Sequence, residues 1–135
     1  ERWCVTRQDL LDFRALVRRH VAEGRVVPTE RDQFDAADDR FGPCVHTVNQ
    51  QLIMPITRRA GCVSWALMLH PLGLLCDLFV THGWAEGAYE FADKVCNSWP
   101  AWAHHAYCCM LSNPQCLDIS HLIGSPRESP FAKAL

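Results

Sequence analysis

The sequence predicts an α/β fold built on a parallel sheet, present as one βαβ unit behind a helical N-terminal region. Three observations carry this. The run Cys76-Asp77-Leu78-Phe79-Val80-Thr81-His82 sets β-branched and aromatic residues side by side instead of alternating them with polar ones, the pattern of an interior parallel strand covered on both faces. Ala88, Phe91, Ala92, Val95 and Trp99 then fall at helical spacing, with Glu90 and Lys94 able to pair on the wet side and Pro100 closing the helix. Ala106 to Leu111 is a second apolar run of strand length, bounded by Asn113-Pro114 and reached through a right-handed crossover.

The N-terminal elements follow from caps and spacing. Thr6 and Asp9 form a capping-box signature, and Leu10, Phe13, Leu16, Val17 and Val21 make one apolar stripe that Gly24 ends, leaving Arg14, Arg18 and Arg19 in water. Pro28-Thr29 with Asp32 predicts a second, acidic helix with a thin apolar side (Phe34, Ala37, Phe41), ended by Gly42-Pro43. A third helix is expected from Cys44 to Met54 on Val45, Val48, Leu52 and Ile53, with a kink or a new first turn at Pro55. The short apolar stretch from Cys62 to Leu69 fits a buried helix or a strand equally. Pro71-Leu72-Gly73 divides a helical leader, 1–72, from an incomplete α/β domain, 73–135. Ser112 to Ser129 reads as loop, with a helix beginning near Ser129-Pro130, and the chain reads as a fragment truncated at its C-terminus.

Bulk properties narrow the function classes. A formal net charge of -2 with dispersed basic residues offers no electrostatic footprint for a phosphate backbone, so nucleic acid is not an expected partner. His70, Pro71 and Gly73 break the weakly charged stretch from Ala60 to His82 into pieces too short to span a membrane. Of the eight cysteines, Cys76, Cys96, Cys108 and Cys109 lie at apolar positions inside predicted elements, where they act as small hydrophobes. That usage, with no apolar leader, points to a reducing, cytoplasmic setting.

In parallel sheets the ligand crevice lies beyond the carboxyl ends of the strands, which singles out Thr81, His82, Trp84 and Glu86. Hydroxyl and imidazole supply hydrogen-bonding groups there, and the indole supplies a stacking surface. The competing reading is structural: Glu86 complements the positive end of the next helix and Trp84 packs on the sheet edge. Asp77, at the incoming end of its strand, reads as a structural acceptor of backbone hydrogen bonds. Trp99 and Trp102 read as a packing cluster. His104, His105, Cys108 and Cys109, with Cys116 and His121 beyond, permit a metal-stabilised domain as an alternative. They lack the usual zinc spacings, and in a strand Cys108 and Cys109 point to opposite faces. No cysteine is expected at a polar helix start where its thiol would be activated.

The box Cys76 to His82 resembles the first conserved box of Toll/interleukin-1 receptor (TIR) domains: Asp77, Leu78, Phe79 and Val80 match, Thr81 replaces a serine conservatively, and Cys76 departs from the usual aromatic. More narrowly, Ser64-Trp65-Ala66-Leu67-Met68, the Cys76 to Gly87 segment, Ser112-Asn113-Pro114-Gln115 and Ser129-Pro130-Phe131-Ala132 resemble protist, notably dinoflagellate, proteins that join a helical leader to a TIR-like module. The resemblance implies a partial flavodoxin-like sheet and a signalling module that associates with itself or with other TIR-like domains. Its contact loop would follow the second strand, at Asn113, Pro114, Gln115 and Asp118. It implies no bound cofactor. As an alternative it implies NAD as the substrate of a complete domain, cleaved with a glutamate that no position here matches; Glu86, just after the first strand, is not that residue. The chain by itself is therefore expected not to cleave NAD.

Overall fold

The computed structural model describes residues 2–117. In order these form β1 (Val5–Thr6), α1 (Arg7–Ala22), α2 (Val45–Val48), a π-helical turn (Asn49–Ile53), α3 (Met54–Arg59), α4 (Trp65–Leu69), β2 (Leu78–Val80), α5 (Ala88–Asn97), β3 (His105–Cys108) and α6 (Cys109–Ser112). The class is α/β, with a small three-stranded sheet of order β1-β3-β2. β2 and β3 are parallel, Val80 facing Cys108, and α5 links them, which is the expected βαβ unit. β1 runs antiparallel on the other side of β3, Val5 facing Ala106.

Two strand expectations need correction. Within the described sheet β2 is an end strand and β3 the central one, so the 76–82 box is not interior there. Its ladder spans Leu78–Val80, and all three residues are half-buried. The second apolar run leaves the sheet after Cys108, because Ser112 Oγ accepts the Cys108 amide at 2.9 Å and turns the chain into α6. Cys108 and Cys109 are therefore not neighbours in one strand.

Helix α1 starts as its sequence demands. Thr6 Oγ1 accepts the Asp9 amide at 3.0 Å, and Asp9 Oδ2 accepts the Thr6 amide at 2.7 Å. Leu10, Phe13, Val17 and Val21 are buried, and α1 lies against α5. Arg14 is not in water: its Nη2 donates to Asp93 Oδ2 at 2.8 Å and its guanidinium lies over the Tyr89 ring. The acidic helix expected over 28–41 does not form. Its aspartates cap turns instead: Asp35 takes the Ala37 amide, Asp38 the Arg40, Phe41 and Gly42 amides, and Asp32 the Cys44 amide. Short carboxylates outcompete the helical ladder where a thin apolar face offers little packing in return.

Pro55 explains the widened turn before it. Proline cannot donate to the Gln51 carbonyl and its ring crowds that group, so the helix opens by one residue and Met54 N–H bonds to the Asn49 carbonyl. The 62–69 ambiguity resolves as a helix, with Ser64 Oγ capping the Leu67 amide at 3.1 Å. Residues from both sides of the expected 72/73 boundary share one core, from Val5, Phe13, Val48 and Trp65 to Tyr89, Phe91, Cys108 and Leu111. No described helix is long and apolar enough to cross a membrane.

The start of α1 carries a pH prediction. His70 Nε2 lies 2.7 Å from Asp9 Oδ2. Burial alone would raise the Asp9 carboxyl, but the Thr6 amide and His70 outweigh it and hold the carboxyl below its ordinary value. A carboxyl depressed by folding contributes stability above its unfolded pKa and loses it as pH falls through the folded one. Asp9→Asn is expected to cost about 1 to 2 kcal/mol at neutral pH. The gap to wild type should close as pH falls through the depressed carboxyl pKa of folded Asp9, below the ordinary aspartate range, where wild-type Asp9 also loses its charge. Urea unfolding at neutral pH and below that range checks this; a gap independent of pH would refute it.

Candidate functional site

The parallel ladder delivers the ends of β2 and β3 to the same side of the sheet, and the expected loop lies there. Thr81 is exposed; His82, Trp84 and Glu86 are half-buried. The loop is rigidly held. Glu86 N–H bonds back to the Gly83 carbonyl at 3.1 Å, and the Trp84 and Glu86 carbonyls accept the His46 and Val45 amides at 3.0 and 2.9 Å. Those amides open α2 and have no partner within their own helix, so the loop after β2 serves as the cap of α2.

The side chains divide into an aromatic group and an ionic one. Trp84 lies between two imidazoles, with ring centres 5.2 Å from His46 and 5.3 Å from His82, and His82 also meets Phe91 edge-on at 5.4 Å. Glu86 pairs with Lys94 at 3.2 Å, and Lys94 bonds Glu90 at 2.9 Å, the pair expected from helical spacing. The two carboxylates, Glu90 first, raise the Lys94 ammonium above its ordinary value. Asp77 is structural as expected: its Oδ2 accepts the His104 and His105 amides at 2.9 and 3.1 Å, at the opposite end of the strands. The His104 amide is the leading cause that holds its carboxyl low.

One partner escaped the sequence reading. Cys109, the first residue of α6, lies with its Sγ 2.8 Å from His82 Nε2. Burial lowers the His82 pKa, offset in part by the Gly83 backbone and the Glu86 charge, so the ring is neutral at neutral pH. Burial likewise raises the Cys109 thiol, offset in part by the Met110 amide. The pair is thus thiol and imidazole, not thiolate and imidazolium. His82 Nδ1 is buried and has no well-formed hydrogen bond; the Gly83 backbone is its polar neighbour. The signal that would have revealed the pair is the register itself: with Val80 opposite Cys108, the residues that follow leave the sheet together.

The segment after β3 braces this pair. Gln115 Nε2 donates to the Cys109 carbonyl at 3.0 Å and to the Asn113 carbonyl at 3.2 Å. Asn113 is buried, donates its amide to the Cys109 carbonyl, and accepts the Tyr107 hydroxyl at 2.7 Å. Pro114 is buried and Gln115 half-buried; Asp118 and His121 lie outside the described residues. Among the described residues no three His, Cys, Asp or Glu side chains gather to hold a metal ion. The His104 and His105 rings lie 6.1 Å apart, but side chains of that hypothesis are engaged elsewhere: Cys108 is fully buried, His105 Nδ1 faces the Leu75 carbonyl at 3.0 Å, and Cys116 bonds the Met54 carbonyl.

Beside the loop lies a cavity of about 590 Å³ lined by Asp32, Cys44, His46, Thr47 and Ala85 among others, so His46 joins the site to a second concave surface. No protein-family model matches this chain, and no curated protein or solved structure shows significant similarity to it, so the reading of the site rests on its own geometry.

Proposed function

We propose that this chain is a TIR-like signalling module with a partial flavodoxin-like sheet, and that it acts by association with itself or with other TIR-like domains. The observation that supports this is the parallel β2–α5–β3 unit, which brings the loop after the Asp77-Leu78-Phe79-Val80 box and the segment after β3 to one end of the sheet. Both segments are braced by backbone hydrogen bonds, so that end presents a fixed surface. Preorganised surfaces lose little conformational freedom on association. The antiparallel β1 beside β3 is an addition to a flavodoxin-like arrangement and gives this module its own edge.

Thr81 and Leu117 are the exposed residues to alter, since neither side chain supports the fold described above. The chain is expected to sediment as a concentration-dependent equilibrium between monomer and larger species. Thr81→Arg combined with Leu117→Arg should weaken that association about tenfold or more, roughly 1.4 kcal/mol. A wild-type chain that stays monomeric throughout the accessible concentration range, alone and mixed with a TIR-like partner, would sink the reading. So would a double variant that associates as well as wild type.

A further inference from the structure

We infer that Cys109 is a nucleophilic thiol served by His82 as general base, and that this pair exchanges with low-molecular-weight disulfides to form a mixed disulfide at the sheet's carboxyl end. The inference stands on geometry independent of the association reading. Among the cysteines, Cys109 is the one whose sulfur meets an imidazole within the described residues. Cys44 faces the Thr47 hydroxyl, Cys76 the Leu78 carbonyl and the Cys4 thiol, Cys62 the Cys116 thiol, and Cys116 also the Thr57 hydroxyl and Met54 carbonyl. Those contacts can accept a thiol proton in a hydrogen bond, but none is a base of useful strength near neutrality. Cys4, Cys96 and Cys108 are buried, whereas Cys109 is half-buried.

The base is oriented. Trp84 and Phe91 clamp the His82 ring at its edges, and Gln115 and the Asn113 amide fix the Cys109 backbone. This is the arrangement of an activated nucleophile: sulfur and base in hydrogen-bond reach, with the base held by a third group. In the step, Cys109 Sγ–H passes its proton to His82 Nε2 as the sulfur attacks one sulfur of the small disulfide. The S–S bond breaks, and the departing thiolate takes the proton back from His82. One thiol and one disulfide become a mixed disulfide and one thiol, so the small disulfide is the sole oxidant.

The environment selects this chemistry over acyl transfer. Attack on a carbonyl concentrates charge on oxygen and relies on hydrogen-bond donors set to receive it. The side-chain amide of Gln115 is already committed to two backbone carbonyls, and the Met110 amide lies against the Cys109 sulfur itself. Thiol–disulfide exchange spreads its charge over sulfur atoms and suits the apolar walls of Trp84 and Phe91. The charged group facing His82 is Glu86, with Lys94 behind it, and His46 lies beyond Trp84.

The test incubates the full chain with glutathione disulfide and maps the modified cysteine by peptide mass spectrometry. The expected result is a glutathionyl adduct at Cys109 ahead of Cys44, Cys62, Cys76 and Cys116. The rate should be nearly independent of pH between the His82 and Cys109 pKa values, as general-base assistance requires. His82→Gln should slow the reaction at neutral pH about tenfold or more and make the rate climb with pH in proportion to thiolate. Because the wild-type chain is mapped directly, the result does not depend on a Cys109 variant folding; near-UV dichroism checks His82→Gln. Preferential labelling of another cysteine, or an unchanged pH profile in His82→Gln, overturns the inference. Labelling of Cys109 by an acyl thioester and not by the disulfide overturns the assigned substrate class.

Discussion

Phe91→Ala is expected to destabilise the protein by about 3 to 5 kcal/mol, a large share of the roughly 5 to 15 kcal/mol that holds a domain of this size. Phe91 is 2 % exposed and lies in the core shared by α1, α5 and the sheet. Removing its ring deletes apolar contacts and leaves a cavity that the braced loop after β2 is poorly placed to fill. The same ring is one wall of the His82 site, at 5.4 Å. The variant therefore has a second signature. Burial is the leading cause of the lowered His82 pKa, so opening that wall lets water in and moves the pKa back toward its ordinary value. Urea unfolding gives the first quantity, and the pH dependence of the His82 ring resonances gives the second. Phe91→Leu refills part of the volume and should cost less than Phe91→Ala. A Phe91→Ala cost within about 0.5 kcal/mol of zero, as for a surface substitution, would contradict the assigned packing.

The features legible in the sequence are those fixed by near neighbours. The Thr6 and Asp9 capping box, the amphipathic α5 with its Glu90 and Lys94 pair, and Asp77 as a backbone acceptor all depend on groups whose placement local spacing anticipates. Where the reading departs from the structure, a distant or competing contact decides. Arg14 leaves water because Asp93, on another helix, meets it. The 28–41 segment turns because Asp32, Asp35 and Asp38 find amides that a helix would have used otherwise. The candidate site shows the same division. Thr81, His82, Trp84 and Glu86 were legible because strand polarity alone points to the loop that carries them. Cys109 was not, because its contact with His82 spans 27 residues of sequence and depends on two things no local pattern encodes: the parallel register and the early exit of β3. Asn113 and Gln115, which the resemblance places in a partner-contact loop, also hold the backbone beneath Cys109.

Gly87→Ala is expected to cost about 3 kcal/mol or more, at the upper end of what overpacking produces. Gly87 has an ordinary φ of -67°, so an alanine there meets no torsional penalty. Space is the obstacle. An added Cβ would lie within contact distance of the Phe41 carbonyl oxygen, 2.8 Å from its carbon and 3.2 Å from the Phe41 Cα. These are backbone atoms and cannot rotate away. Nor can the segment retreat freely, because the Phe41 carbonyl accepts the Tyr89 amide at 3.1 Å and the Pro43 carbonyl accepts the Ala88 amide at 2.8 Å. Gly24 supplies the control: its φ of +68° strains an alanine, but nothing lies within 4 Å of the added carbon. Gly24→Ala should therefore cost about 1 to 2 kcal/mol from backbone strain alone. The two costs differ in their consequences as well as their size. Separating the 41–45 segment from the 84–89 segment pulls the Trp84 and Glu86 carbonyls off the first amides of α2, and His82 stands in the same loop two residues before Trp84. Gly87→Ala should thus change the near-ultraviolet dichroism of the tryptophans and slow Cys109 labelling, while Gly24→Ala lowers stability and leaves both unchanged. Equal losses in the two variants would show that the junction between these segments does not set the geometry of the site.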